Sequence, residues 1–133
     1  TPKGMPDSAL DFPKEAPESE YSDVIKYMEE TYPEMTSEFK KIQRDQYELF
    51  CKKQYDYGPQ NIAVGTILKT KEDIKLSLLG IWFRMNDKIE RLKTLLMRDD
   101  NHAVENESVI DSFSDISNYG VMAKVVAKGK WAK

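Results

Sequence analysis

The segment from Lys71 to Met97 constrains the fold more than any other part of the chain. Thr70 and Asp73 precede and open it with the spacing of a capping box, which predicts one long helix. Its first half is apolar nearly all round, through Ile74, Leu76, Leu78, Leu79, Ile81, Trp82, Phe83 and Met85. A helix of this composition needs neighbours on several sides. The sequence therefore predicts an all-α protein, most simply a helical bundle.

Other helices are predicted around this segment, and no run has the two-residue period of a strand. A short helix is expected within 21–33, and a longer one after Thr36, which occupies an N-cap position. The Gly-Pro pair within 55–70 predicts a loop, with at most a turn of helix at 61–64. The last helix is expected from about 106 to 128.

The chain is expected to have three parts: a proline-rich arm with a possible short helix at 1–35, a helical domain at 36–128 and a basic tail at 129–133. Four of the six prolines lie in the first 20 residues. An arm of this kind is either disordered or strapped across the body or a partner subunit. The tail is expected to fray, although the ring of Trp131 could dock on the bundle.

Composition excludes several functional classes. A net charge of -3 and a pI of about 5.3 argue against a general nucleic-acid binder. A single cysteine, Cys51, allows no intramolecular disulfide and fits a reducing compartment. A single histidine, His102, excludes the paired Glu-x-x-His motifs of di-iron bundles. Without a signal peptide or an apolar run of the roughly 18 residues that a membrane span needs, a cytoplasmic location is expected.

The last predicted helix carries a line of acidic side chains. Glu107, Asp111 and Asp115 follow at intervals of four, and Asn118 comes three later, so these side chains share one face. Like charges at this spacing cost about 0.2–0.5 kcal/mol per pair on an exposed helix. The opposite face is expected to be core and contains Val109, Phe113, Ile116 and Gly120.

The long helix carries a similar line, in which Leu76, Leu79 and Phe83 are followed by Asp87 and Glu90. Packed antiparallel, the two helices would bring five carboxylates together. Buried acids without counter-charge are very costly, and neither line contains Lys or Arg. Mg²⁺ prefers oxygen ligands and shares them with substrate phosphates, so a metal site is one explanation. The alternative is a solvated acidic face.

Short segments within 36–128 resemble a known family. The segments NDKIE (86–90) and NESVIDSFSDISNY (106–119) resemble the MazG-like all-α nucleoside triphosphate pyrophosphohydrolases. The segments KKQYDYGPQN (52–61) and DSFSDISNY (111–119) resemble the related phage nucleotide-modification-associated domain. The resemblance implies Mg²⁺-dependent cleavage of a (d)NTP to a (d)NMP and pyrophosphate, in the host cytoplasm if the chain is phage-encoded.

The resemblance also implies roles for the acids. Asp87 and Glu90 match the first acidic pair of the family, and Asp111 and Asp115 are expected to supply further ligands to Mg²⁺ or Mn²⁺. The second set departs from the family pattern, because its acids run in steps of four and not as Glu-x-x-Asp. A carboxylate left free of metal, Glu90 or Glu107, would take the proton from the attacking water.

Substrate contacts are expected from the central loop and the flanking helices. The candidates are Lys53, Tyr55, Tyr57, Asn61, Lys75, Arg84 and Asn118. The cations would reach phosphates, and the tyrosines would stack on a base. In the alternative, the cations are solvated and the tyrosines pack the loop onto the bundle.

The sequence is compatible with three functions. The chain is an NTP pyrophosphohydrolase, a nucleotide-binding module without turnover, or a structural helical oligomer with solvated acids. The long helix is apolar on more faces than two neighbours can cover, so a homo-oligomer is expected under the first two functions. The resemblance implies a dimer or a tetramer.

Overall fold

A computed structural model describes residues 19–98 and 105–133. These residues include the helices α1 (Ser22–Thr31) and α2 (Pro33–Tyr57), the 3-10 helix (Pro59–Ala63), and the helices α3 (Lys71–Met97) and α4 (Glu107–Ala127). The described residues contain no strand, so the all-α prediction is confirmed. Most of the predicted arm (1–18) and most of the polar connection before α4 (99–104) lie outside the described residues.

The helix boundaries follow from local capping. The Thr70 side chain accepts a hydrogen bond from the Asp73 N–H at 3.0 Å, and the Asp73 carboxylate accepts one from the Thr70 N–H in return. This is the predicted capping box, and α3 spans the predicted 71–97. At the start of α4, the Asn106 side chain accepts a hydrogen bond from the Ser108 N–H at 2.8 Å.

The predicted start of α2 at Thr36 is wrong. The helix begins at Pro33, because proline lacks the N–H that a first helical residue would leave unpaired. Thr36 lies in the first turn, where its hydroxyl donates to the Tyr32 carbonyl at 3.0 Å and caps nothing. The short helix expected within 21–33 is present as α1.

The chain divides within α2 into an N-terminal unit, residues 1–49, and a C-terminal unit, residues 50–133. In the N-terminal unit, Lys40 of α2 forms an ion pair with Glu29 of α1. The apolar side chains of Phe39 and Ile42 are exposed in this unit.

The core of the C-terminal unit lies between α3, α4, the 3-10 helix and the tail. Its buried members are Ile62, Ile81, Met122, Val126 and Trp131. Helices α3 and α4 run antiparallel, because Arg91 contacts Ser108 while Lys88, earlier in α3, contacts Asp115, later in α4.

The tail is docked and does not fray at Trp131, which is 5% exposed. The Trp131 indole N–H donates to the Pro59 carbonyl at 2.8 Å, and the ring packs edge-on against Phe50 at a centroid distance of 5.8 Å. Burial of a large aromatic ring stabilises this contact, which the basic composition of the tail did not indicate.

The faces that α3 and α4 bury differ in part from the predicted ones. On α4, Val109 is buried as expected, but Phe113 is 52% exposed and Ser112 is buried in its place. On α3, Leu76, Leu79 and Phe83 are exposed, so residues 19–98 and 105–133 do not cover this helix on all its apolar sides. No helix in the described ranges combines the length and apolar character that crossing a membrane requires.

Candidate functional site

The C-terminal unit contains a pocket, here called the central pocket, with a volume of about 250 Å³. It lies between the end of α2, the 3-10 helix, α3 and α4. Its lining consists of Phe50, Lys53, Gln54, Tyr57, Asn61, Ile62, Arg84, Lys88, Asp115, Asn118, Tyr119 and Met122.

Helical spacing places these side chains. On α3, Arg84 and Lys88 are four residues apart and therefore lie on one face, a turn from each other. Lys53 and Tyr57 have the same spacing on α2, as do Asp115 and Tyr119 on α4. The 3-10 helix follows directly because Gly58 adopts a φ of +81°, a backbone conformation that glycine accepts without strain.

One carboxylate holds two ammonium groups at the centre of the lining. The Asp115 side chain accepts from Lys53 Nζ at 2.8 Å and pairs with Lys88 Nζ at 3.1 Å. The Asp115 side chain is 14% exposed, against 41% for Lys53 and 32% for Lys88. The two ion pairs therefore join α2, α3 and α4 through a mostly buried acid.

The charges in this network stabilise each other. Burial of the Asp115 carboxyl opposes ionisation, but the hydrogen bonds from Lys53 and Lys88 outweigh it and lower its pKa. The hydrogen bond to Asp115 raises the pKa of Lys53 against the opposing effect of burial. Both groups are therefore ionised at neutral pH.

The central pocket carries excess positive charge. Lys53, Arg84 and Lys88 face a single carboxylate, which leaves two positive charges over. The Arg84 guanidinium donates to the Asn61 carbonyl at 3.4 Å and pairs with no carboxylate in the described part of the chain. A pocket with this balance attracts anions.

Five of the predicted substrate contacts meet in this pocket: Lys53, Tyr57, Asn61, Arg84 and Asn118. The other two do not line it, and the Tyr55 side chain is 90% exposed. Three polar lining residues, Lys88, Gln54 and Tyr119, were not predicted. The spacing of four from Arg84 to Lys88 and from Asp115 to Tyr119 was the available signal.

Of the predicted acids, only Asp115 lines the pocket. Asp87, Glu90, Glu107 and Asp111 are exposed. Among residues 19–98 and 105–133, no group of three or more His, Cys, Asp or Glu side chains lies close enough to hold a metal. The acids of α3 do not join Asp115 because the rotation of α3 about its axis turns Lys88 towards α4, whereas Asp87 and Glu90 face solvent.

The positive charges that balance Asp115 come from lysines of α2 and α3 and not from its own helix. Each of its two oxygens contacts a different ammonium group, one on α2 and one on α3. An ammonium group repels a metal ion at the same oxygen. The donor set that the described residues of one chain bring together therefore does not fit Mg²⁺.

A scan against protein-family models finds no match to this chain, and neither a search of curated proteins nor one of solved structures finds a similar protein. The MazG-like resemblance therefore stays a prediction. The two segments 52–61 and 111–119 supply more than half of the residues that line the central pocket.

The Asp115 network makes a testable contribution to stability. We expect Asp115→Asn to lower the free energy of unfolding at neutral pH by about 1 kcal/mol, because solvent screens the half-exposed Lys53. The Asp115 pKa is lowered by folding, so its contribution is complete above its unfolded pKa of about 4 and is lost as the pH falls through the folded value. The Lys53 pKa is raised, so its contribution is lost as the pH rises through a folded value above about 10.4.

Urea unfolding of the two proteins at strongly acidic, neutral and strongly alkaline pH measures this difference. The gap between wild type and Asp115→Asn should be widest at neutral pH and close at both extremes. A gap that does not change with pH would show that the ion pairs do not form in solution.

Proposed function

We propose that this chain binds a phosphorylated nucleotide in the central pocket. The observation that carries the proposal is the convergence of three cations and one carboxylate beside the rings of Phe50, Tyr57 and Tyr119. Lys and Arg are the side chains that bind phosphates, and Arg does so with two parallel hydrogen bonds. Aromatic rings stack on bases of any identity.

The amide side chains of the pocket support a nucleotide over a simple inorganic anion. Gln54, Asn61 and Asn118 line the same space as the cations and the rings. Amide groups present both donors and acceptors and can pair with the edge of a base. Side chains able to make phosphate, stacking and base-edge contacts thus line one pocket.

Pyrophosphohydrolysis, with Mg²⁺ as the predicted metal, is the second candidate function. The antiparallel packing of α3 and α4 favours it, because the Lys88–Asp115 contact places Asp87 and Glu90 level with Asp111 and Asp115 along the helices. One chain does not bring these carboxylates together, so a site that used them would need a second copy. The exposed apolar side chains of Leu76, Leu79 and Phe83 on α3 support the predicted dimer or tetramer.

Thermal unfolding with eight NTPs and dNTPs, each with Mg²⁺ and with EDTA, tests the proposal. A ligand at 100 times its Kd adds about 2.7 kcal/mol to the stability of the folded state, so a bound nucleotide should raise the Tm by several degrees. Pyrophosphate release measured in parallel separates the two candidates: release shows the enzyme, and a Tm shift without release shows the binding module. If no nucleotide raises the Tm, the proposal is wrong.

A further inference from the structure

The two ion pairs of Asp115 have the geometry that a phosphate group would also satisfy. One Asp115 oxygen lies 2.8 Å from Lys53 Nζ and the other lies 3.1 Å from Lys88 Nζ, so the carboxylate bridges two helices. A phosphate group presents several oxygens and carries at least as much negative charge. It could therefore bridge the same two ammonium groups.

The two lysine side chains of this network are more exposed to solvent than the carboxylate that they contact. The Lys53 and Lys88 side chains are two to three times as exposed as the side chain of Asp115. The two lysine side chains are therefore more accessible to an anion from solvent than the carboxylate is. Arg84 lines the same pocket, and its guanidinium contacts only a neutral carbonyl there. A guanidinium matches the geometry of phosphate oxygens.

We propose that Lys53, Arg84 and Lys88 form a metal-independent phosphate site, and that Asp115 is its built-in counter-ion, which the phosphate of the ligand displaces. This inference rests on the proposed function and adds where the phosphate lies and what holds it. It assigns Asp115 a role opposite to that of a metal ligand. A metal ligand strengthens phosphate binding through the metal, whereas a counter-ion competes with the phosphate for the same cations.

Isothermal titration calorimetry with inorganic pyrophosphate, in EDTA and at low salt, tests the inference. Asp115→Asn removes the competing charge and should bind pyrophosphate about 10-fold more tightly than the wild type. Asp56→Asn is the matched control, because it removes the same charge from an exposed residue of α2 that pairs with Lys52 and does not line the pocket. It should leave the Kd unchanged. Lys88→Met should weaken binding at least about 10-fold.

Weaker or unchanged binding by Asp115→Asn would overturn the inference, as would a wild type that binds pyrophosphate only when Mg²⁺ is present. If Asp115→Asn does not fold, the titration of Lys88→Met with pyrophosphate tests the inference instead, and a Kd of Lys88→Met equal to that of the wild type overturns it.

The same titrations with nucleotides separate this inference from the proposed function. If the affinities of the variants for pyrophosphate follow the expected order and no nucleotide binds, the result would support the anion site and refute the proposed nucleotide binding. Nucleotide binding that neither Asp115→Asn nor Lys88→Met alters would support the nucleotide and refute this site.

Discussion

Replacing Trp131 with alanine is expected to lower the free energy of unfolding by about 3–5 kcal/mol. The indole is 5% exposed, contacts Phe50 edge-on and donates a hydrogen bond to the Pro59 carbonyl. The substitution removes the buried ring and leaves a cavity between the tail and the 3-10 helix. Urea unfolding followed by far-UV circular dichroism measures the loss without relying on tryptophan fluorescence.

Trp82→Ala is the matched control for this experiment. Trp82 is 55% exposed, so its removal should cost no more than about 1 kcal/mol. Trp131→Phe keeps most of the buried ring but loses the donor, and should lie between the two with a cost of about 1–2 kcal/mol. Equal stabilities for Trp131→Ala and Trp82→Ala would mean that the tail is not docked in solution.

This contact matters for the site as well as for stability. Phe50 lines the central pocket, and Pro59 begins the 3-10 helix that carries Asn61 and Ile62 into its wall. Trp131 touches both of these residues, so it holds one wall of the pocket in place. We therefore expect Trp131→Ala to weaken ligand binding at temperatures at which the variant is still folded.

Arg84→Met is expected to weaken nucleotide binding by about 10- to 100-fold, the equivalent of a charged hydrogen bond worth about 1.5–3 kcal/mol. Arg84 is half-buried in the pocket and pairs with no carboxylate in the described ranges, so its guanidinium is available to a phosphate. Methionine keeps much of the length of the side chain and removes the charge. Calorimetric titration with the tightest binder of the nucleotide panel measures the change in Kd.

Arg91→Met provides the control on the same helix. Arg91 lies seven residues beyond Arg84, contacts the Ser108 hydroxyl and does not line the pocket. Its substitution removes the same charge from the protein, so it corrects for the general effect of net charge on an anionic ligand. If both variants lose affinity equally, the loss reflects overall charge and Arg84 does not contact the ligand.

The helices were predictable because their signals are local. The Thr70–Asp73 capping box determines where α3 begins, and Gly58 with Pro59 ends α2 and starts the 3-10 helix. The start of α2 was missed for an equally local reason. Threonine is a common N-cap residue, so Thr36 was expected to precede the helix. Proline is favoured at the first helical position, and α2 begins three residues earlier, at Pro33.

The site was predictable only in part. Lys53, Arg84 and Asn118 were expected near a substrate and do line the pocket. Lys88 was missed, although it lies in the segment NDKIE, because the expected site was built on the two acids of that segment, Asp87 and Glu90. Asp115 was expected as a metal ligand for its place in the acidic line; it does line the pocket, but its neighbours are lysines and not other carboxylates.

By itself, the sequence determined the number of long helices in the described ranges, most of their boundaries and the residues that share each face. Helical periodicity and capping require only neighbours along the chain. Only the tertiary structure decided which face of α3 meets α4, and so placed Lys88 opposite Asp115 while Asp87 and Glu90 face solvent. Periodicity specifies which side chains point the same way, but the rotation of a helix about its axis depends on how its side chains pack against its neighbours.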